Sequence, residues 1–182
     1  VYLEYEPKVA AVGAGLDIFS PIASMVIDMG GGTTDIAVLS LGDIVTSESI
    51  RIAGDKMNAD ISNMVKNDHG LMIGERTSEQ IKIQIGTATP LDEPEEMEVR
   101  GRDSFTGMPR TVTLNANEVE EAMHDTLTQI VTAAHAVLAR IQPELASDII
   151  DRGIVLTGGG ALLRGVDKLI AQHLGVPVMI SE

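Results

Sequence analysis

The 182-residue chain contains no cysteine, which excludes a disulfide framework and any thiolate metal site and agrees with a reducing cytoplasm. It has no tryptophan, two phenylalanines and two tyrosines. Its core must therefore be aliphatic, with nine methionines to help fill it. Basic residues are few: 13 Lys and Arg stand against 27 Asp and Glu, a formal net charge of −14. That balance argues against non-specific binding to nucleic acid or to an anionic membrane, both of which need basic surface. It does not exclude a nucleotide, whose phosphates can be offset by backbone amides, one lysine and a metal ion. No run of 18 apolar residues is present to span a bilayer,.

What is present is globular in composition, with 44% hydrophobic and 22% charged residues,. The length suits one large domain or two small ones. The chain starts with Val1-Tyr2-Leu3-Glu4, which reads as the end of a strand, and stops after a strand-like Val176–Ile180. Both features predict an excerpt from a longer protein.

Three extended segments come first, at Ser24–Asp28, Asp35–Leu41 and Ile44–Ile52, the last nearer an edge,. Residues 56–68 carry Met57, Ile61, Met64 and Val65 at helical spacing, with Gly70 as the C-terminal cap,. A helix over Ser78–Ile85 and a solvated acidic lobe tip at Asp92–Glu96 follow. Two alternating strands, Met97–Gly101 and Arg110–Leu114, flank a turn at Gly107-Met108-Pro109. Asn115 and Glu118 have capping-box spacing for a long helix ending near Pro143,. The end of the chain reads as a strand at Gly153–Thr157, a glycine turn, a helix over Ala161–Leu174 and a final strand. The pattern predicts an α/β fold with a mixed sheet. Residues 20–52 and 116–182 form the larger part, 53–115 a smaller α+β insertion, and 1–19 a connecting segment.

The chemistry concentrates in Asp28-Met29-Gly30-Gly31-Gly32-Thr33-Thr34-Asp35. An apolar strand, an acid, three glycines and another apolar strand make a hairpin turn that can aim several amides at one anion. Asp28 at its mouth suits a hydrated magnesium ion beside phosphates. A bare hairpin would not need three consecutive glycines, which cost backbone entropy. No Gly-Lys-Ser/Thr follows and no helix opens, so this is neither a P-loop nor a dinucleotide fingerprint. A second cluster, Gly158-Gly159-Gly160, can lie flat against the other end of the same ligand, with Arg164 placed to stack on a purine. His69, His124, His135 and His173 have no short ligand spacing.

These features resemble the actin / sugar-kinase / DnaK-type ATPase superfamily, whose lobes share a ribonuclease H-like fold, and within it the bacterial actins of the MreB family. The resemblance covers essentially the whole chain. It is carried by the strings 28–35, Arg51-Ile52-Ala53-Gly54-Asp55, Ile73–Thr77, Pro143–Asp148 and Gly153–Gly165. It implies ATP or ADP with magnesium as ligands. Gly30, Gly31, Gly32 and Thr33 would meet the β- and γ-phosphates, with Asp28 on the magnesium side and Gly54 approaching from the next turn. Glu79 and Lys82 would meet ribose and base, although three residues apart on a helix they also suit a surface ion pair. Gly158, Gly159, Gly160 and Leu162 would form the adenosine motif. Glu6, before Pro7, would position the attacking water, and Thr34 joins Glu6 and Asp28 among the implied catalytic residues. Tyr5 and Lys8 depart from the family, which usually has an acid and an apolar residue there.

The resemblance further implies a filament-forming ATPase that polymerises beneath the cytoplasmic membrane and directs wall synthesis and rod shape. Its expected partners are further copies of itself, a RodZ-type membrane adaptor and the wall-synthesis machinery. Membrane contact would pass only through parts outside this chain. The first phosphate loop is not in the sequence, so this chain would be the second half of the fold. A DnaK-type chaperone or sugar kinase is the competing expectation, though chaperones favour Phe at the position of Thr34. A scaffold with vestigial nucleotide binding is a third.

Overall fold

The computed structural model describes residues 5–181; the predicted strand end at residues 1–4 lies outside them. Helix α1 (Glu6–Gly13) carries Pro7 in its first turn, where a missing N–H costs nothing,. Strands β1 (Ser24–Met29), β2 (Thr34–Ser40) and β3 (Asp43–Ile50) form the antiparallel meander the sequence predicts. Burial falls from β1 and β2 to an alternating β3, as expected at an edge. Helix α2 (Gly54–His69) buries Met57, Ile61 and Val65 and stops at Gly70, whose φ of 60° is the left-handed cap conformation,.

A two-residue strand, β4 (Leu71–Met72), precedes helix α3 (Glu75–Ile85), which starts one turn before the predicted Ser78. Strands β5 (Glu96–Asp103) and β6 (Pro109–Asn115) form a hairpin that joins β4 in a three-stranded antiparallel sheet. Asn115 then caps helix α4 (Ala116–Leu138) with the predicted box: its side chain accepts the amides of Asn117 and Glu118, and Glu118 accepts the amide of Asn115.

Two expectations need correction. Helix α4 ends before the predicted Pro143, and that proline opens a separate helix, α5 (Pro143–Arg152), where its fixed φ is an advantage,. After strand β7 (Ile154–Thr157) there is no continuous helix from Ala161. A 3-10 turn (Gly159–Leu162) leads to an extended Leu163, and α6 (Val166–Leu174) starts only after Gly165 at φ 75°. A long-range pairing wins over local helix preference here: Thr87 bridges Arg164, and the Ala88 amide donates to the Arg164 carbonyl at 2.8 Å. The acidic loop Asp92–Glu96 is exposed, as expected, and it is also anchored. The Leu91 amide and carbonyl bond the Asn117 side chain at 2.8 and 3.0 Å, and Glu95 pairs with Arg164.

With β8 (Val178–Ile180) the main sheet has the order β3-β2-β1-β7-β8, antiparallel up to β1 and parallel from β1 onward. One aliphatic core runs from Met25, Ile27 and Ile36 of this sheet through Met57 and Ile61 to Val99 and Leu114 of the smaller one. A second, smaller cluster joins Ala11 of α1 to Val26, Ala37 and Leu39 on the opposite face. Tyr5, Phe19 and Phe105 are all exposed, so the described core is aromatic-free, as composition requires.

Candidate functional site

Both glycine clusters end strands that lie side by side. Asp28 of β1 is in register with Thr157 of the parallel β7, so the two turns leave the same sheet edge together. The carboxyl ends of parallel strands are the usual ligand position in α/β folds.

The first turn is closed by the Gly30 amide donating to the Thr33 carbonyl at 2.9 Å. None of its three glycines has a positive φ, so close approach, not backbone hand, explains them. The carbonyls of Gly30 and Gly31 accept the amides of Gly54 and Asp55 at 3.2 and 2.8 Å, which docks the start of α2 against the turn. A Cβ on Gly54 would lie 3.1 Å from the Lys82 Nζ and 3.4 Å from the Gly30 carbonyl oxygen. Among the described residues nothing accepts the amides of Gly31, Gly32 and Thr33. All three residues are exposed, so these donors are open to a ligand, which suits an anion,.

The second turn packs on the end of β1. Gly158 has φ 82°, and a Cβ there would meet the Met29 carbonyl oxygen at 2.4 Å and the Asp28 Oδ1 at 2.5 Å. Gly160 is closed by the Met29 side chain at 2.8 Å, whereas Gly159 faces open space.

Between the turns lies a cavity of about 560 Å³, within the size range of small-molecule sites,. Its lining includes Gly30, Gly31, Gly54, Glu79, Lys82, Gly159, Gly160 and Leu162, all singled out from the sequence. Gly32, Thr33 and Gly158 lie off the lining, the first two on the exposed rim. Asp55, Met57, Asn58, Ile83 and Leu163 line it without having been picked out, and Arg164 lines it as expected. Asn58 is buried and its Oδ1 has no partner among the described residues.

Lys82 donates to the Gly54 carbonyl at 3.0 Å. Desolvation holds its pKa below the ordinary lysine value, with Glu79 and Asp55 pulling the other way. Arg164 is engaged bidentately by Glu95, Nη1 to Oε1 at 3.1 Å and Nη2 to Oε2 at 2.9 Å. Those hydrogen bonds hold the Glu95 carboxyl below the usual carboxylate range.

The three residues implied to be catalytic are not on the cavity lining. Thr34 is fully buried, and its hydroxyl donates to the Ile52 carbonyl at 2.7 Å, tying β2 to the chain that enters α2. Asp28 lies two residues beyond Val26 and so shares the α1 face of the sheet,. It stands directly opposite Asp35 of β2. Like charges facing across a strand pair repel, and a cation offsets that; the sequence signal for Asp35 was its place as the second acid of the decapeptide. Glu6 is exposed at the start of α1. Among the described residues no group of three or more His, Asp or Glu forms a metal centre.

A mixed sheet with paired glycine turns over one cavity defines the actin-like class of α/β fold. MreB5 of Spiroplasma citri bound to AMPPNP superposes with a TM-score of 0.94 at 36% identity, over 98% of this chain and 54% of that one. Its ADP-bound form gives 0.95 at the same identity and coverage. The MamK double helical filament gives 0.76 at 22% identity over 96% of this chain and 54% of that one, a likeness of fold alone. The chain belongs to the MreB/Mbl family, whose model, described as MreB/Mbl protein, matches residues 1–182. Cell shape-determining protein Mbl of Bacillus cereus is 60% identical over the whole chain, which covers 55% of that protein. Cell shape-determining protein MreB of Escherichia coli is 52% identical over the whole chain, covering 52% of it. The chain thus spans about half the length of the curated relatives it matches.

Proposed function

We propose that this chain is the nucleotide-binding second half of an actin-like, cell-shape-determining ATPase. The observation that carries the proposal is the convergence of both glycine turns, Gly54, Lys82 and Glu79 on one cavity. Its features fit a nucleotide: exposed amides, apolar and planar side chains, and a lysine. In its three-part organisation, residues 1–19 connect, 20–52 with 116–182 form the larger lobe, and 53–115 form the inserted one.

Phosphates rest on the amides of Gly31, Gly32 and Thr33, with Gly30 and Gly54 allowing the approach. Lys82, assigned above to ribose and base, neutralises charge at the phosphates instead, because it bonds the Gly54 carbonyl beside this turn,. Glu79 accepts from the ribose, and Gly158–Gly160 and Leu162 receive the adenosine end. Asp28, free of any protein hydrogen bond among the described residues, would hold magnesium, with Asp35 adding negative charge. Bound magnesium supplies charge neutralisation on the phosphates. Glu6 orients the attacking water, and Thr34 acts by holding the first turn in place. Self-association into filaments at the inner membrane face, with a RodZ-type adaptor and wall-synthesis proteins as partners, completes the proposal. The cell-shape names of the relatives support it.

Sedimentation and electron microscopy of the full-length protein with ATP, wild type against Glu6→Ala, test it. Wild-type filaments are expected, with ATP binding retained and phosphate release slowed at least about tenfold in the variant. Stable monomers that phosphorylate a sugar or release a peptide on ATP addition overturn it.

A further inference from the structure

We infer that Glu95 is a positioning residue for the nucleotide site, acting through Arg164: by gripping both terminal nitrogens it presents the guanidinium face to a planar base. The inference rests on the nucleotide-binding proposal above. The grip is fork to fork, at 3.1 and 2.9 Å. A guanidinium paired along that edge has much of its charge met by the carboxylate, while its two faces stay free to stack.

The neighbours favour the same ligand part. Leu162 and Ile83, both largely exposed, and Leu163 line the same cavity as Arg164. Apolar side chains beside a flat cation suit an aromatic ring. The amides and lysine that suit phosphates are grouped at the first turn instead.

Both members of the pair are anchored through their backbones. The Arg164 carbonyl accepts the Ala88 amide at 2.8 Å, and Thr87 bridges Arg164, so the exit of α3 fixes it. The Glu95 carbonyl accepts the Ala116 amide at 2.9 Å, and Leu91 is clasped by Asn117. An exposed ion pair ordinarily gains little because two long side chains must be ordered. Anchored backbones and bidentate geometry reduce that cost, and an oriented Arg164 spares the ligand part of it.

Calorimetric and competition titrations of the full-length protein with ATP, ADP and inorganic tripolyphosphate test the inference. Glu95→Gln is expected to weaken ATP and ADP by the same factor, about threefold to tenfold, and to leave tripolyphosphate unchanged. Arg164→Lys, which keeps the charge but loses the fork, should give the same pattern. The double exchange Glu95→Arg with Arg164→Glu should keep the thermal midpoint without restoring ATP affinity. Unchanged ATP affinity in Glu95→Gln, or equal weakening of ATP and tripolyphosphate, overturns the inference. A wild type that binds none of the three overturns the nucleotide-binding proposal itself, and this inference with it.

Discussion

Lys82 is half-buried in the cavity wall, and its ammonium donates to the Gly54 carbonyl. Its pKa is lowered by desolvation, against the attraction of Glu79 and Asp55. Because the folded state releases this proton more readily, the unfolded chain binds more protons between the lowered pKa and the ordinary 10.5. Fold stability therefore rises with pH across that window. Lys82→Met should flatten this rise in thermal midpoints measured from pH 7 to 10, and should keep or slightly raise stability at neutral pH. Nucleotide affinity of the full-length protein should fall about tenfold or more, since a charge-assisted contact to phosphate is lost. A neutral-pH midpoint several degrees lower with unchanged affinity would show that Lys82 is structural. Glycines and charged pairs of this kind were legible in the sequence because their chemistry is local. Asn58, Ile83 and Leu163 were not, because they reach the cavity only through the way α2, α3 and the second turn pack.

At the scale of elements, α4 is the longest helix and packs on both sheets, so its start matters. The Asn115 box satisfies two orphan amides of the first turn and one on the cap residue itself,. Asn115→Ala should cost about 1 kcal/mol and lower the thermal midpoint by roughly 2–4 °C, whereas Asn115→Asp should be nearly neutral. Equal midpoints for the alanine variant and wild type would show that tertiary packing alone sets the helix start. This box, the Gly70 stop and the β1–β2 hairpin were readable because each is written in a few adjacent residues. The two-residue β4 carries too little pattern to be seen, and the break before α6 depends on Thr87, far away in sequence. Local composition around Ala161–Leu174 favoured a helix that the Thr87–Arg164 bridge does not permit.

For the whole molecule, the decisive feature is how much of the site faces water. The cavity is lined by Lys82 and the apolar Ile83, Leu162 and Leu163, but Gly31, Gly32 and Thr33 are exposed, and Asp28, Asp35 and Glu6 lie off the lining. Amides and carboxylates left in water act on phosphates through a high dielectric, where a unit charge pair at 4 Å is worth only about 1 kcal/mol. An opposing wall would exclude that water, and the curated relatives are nearly twice as long as this chain. One aliphatic core joins both sheets, so the 182-residue piece should fold without that wall. Circular dichroism should accordingly show a cooperative melt of the isolated chain. Its affinity for ATP should nevertheless be weak, with a Kd of about 100 µM or more, and its turnover negligible, because neither phosphates nor attacking water are enclosed. Micromolar affinity with sustained phosphate release from the isolated chain would mean that one wall suffices. It would also move the water-positioning role from Glu6 at the edge to a residue inside the cavity, with Asp55 and Glu79 the acids in place to take it.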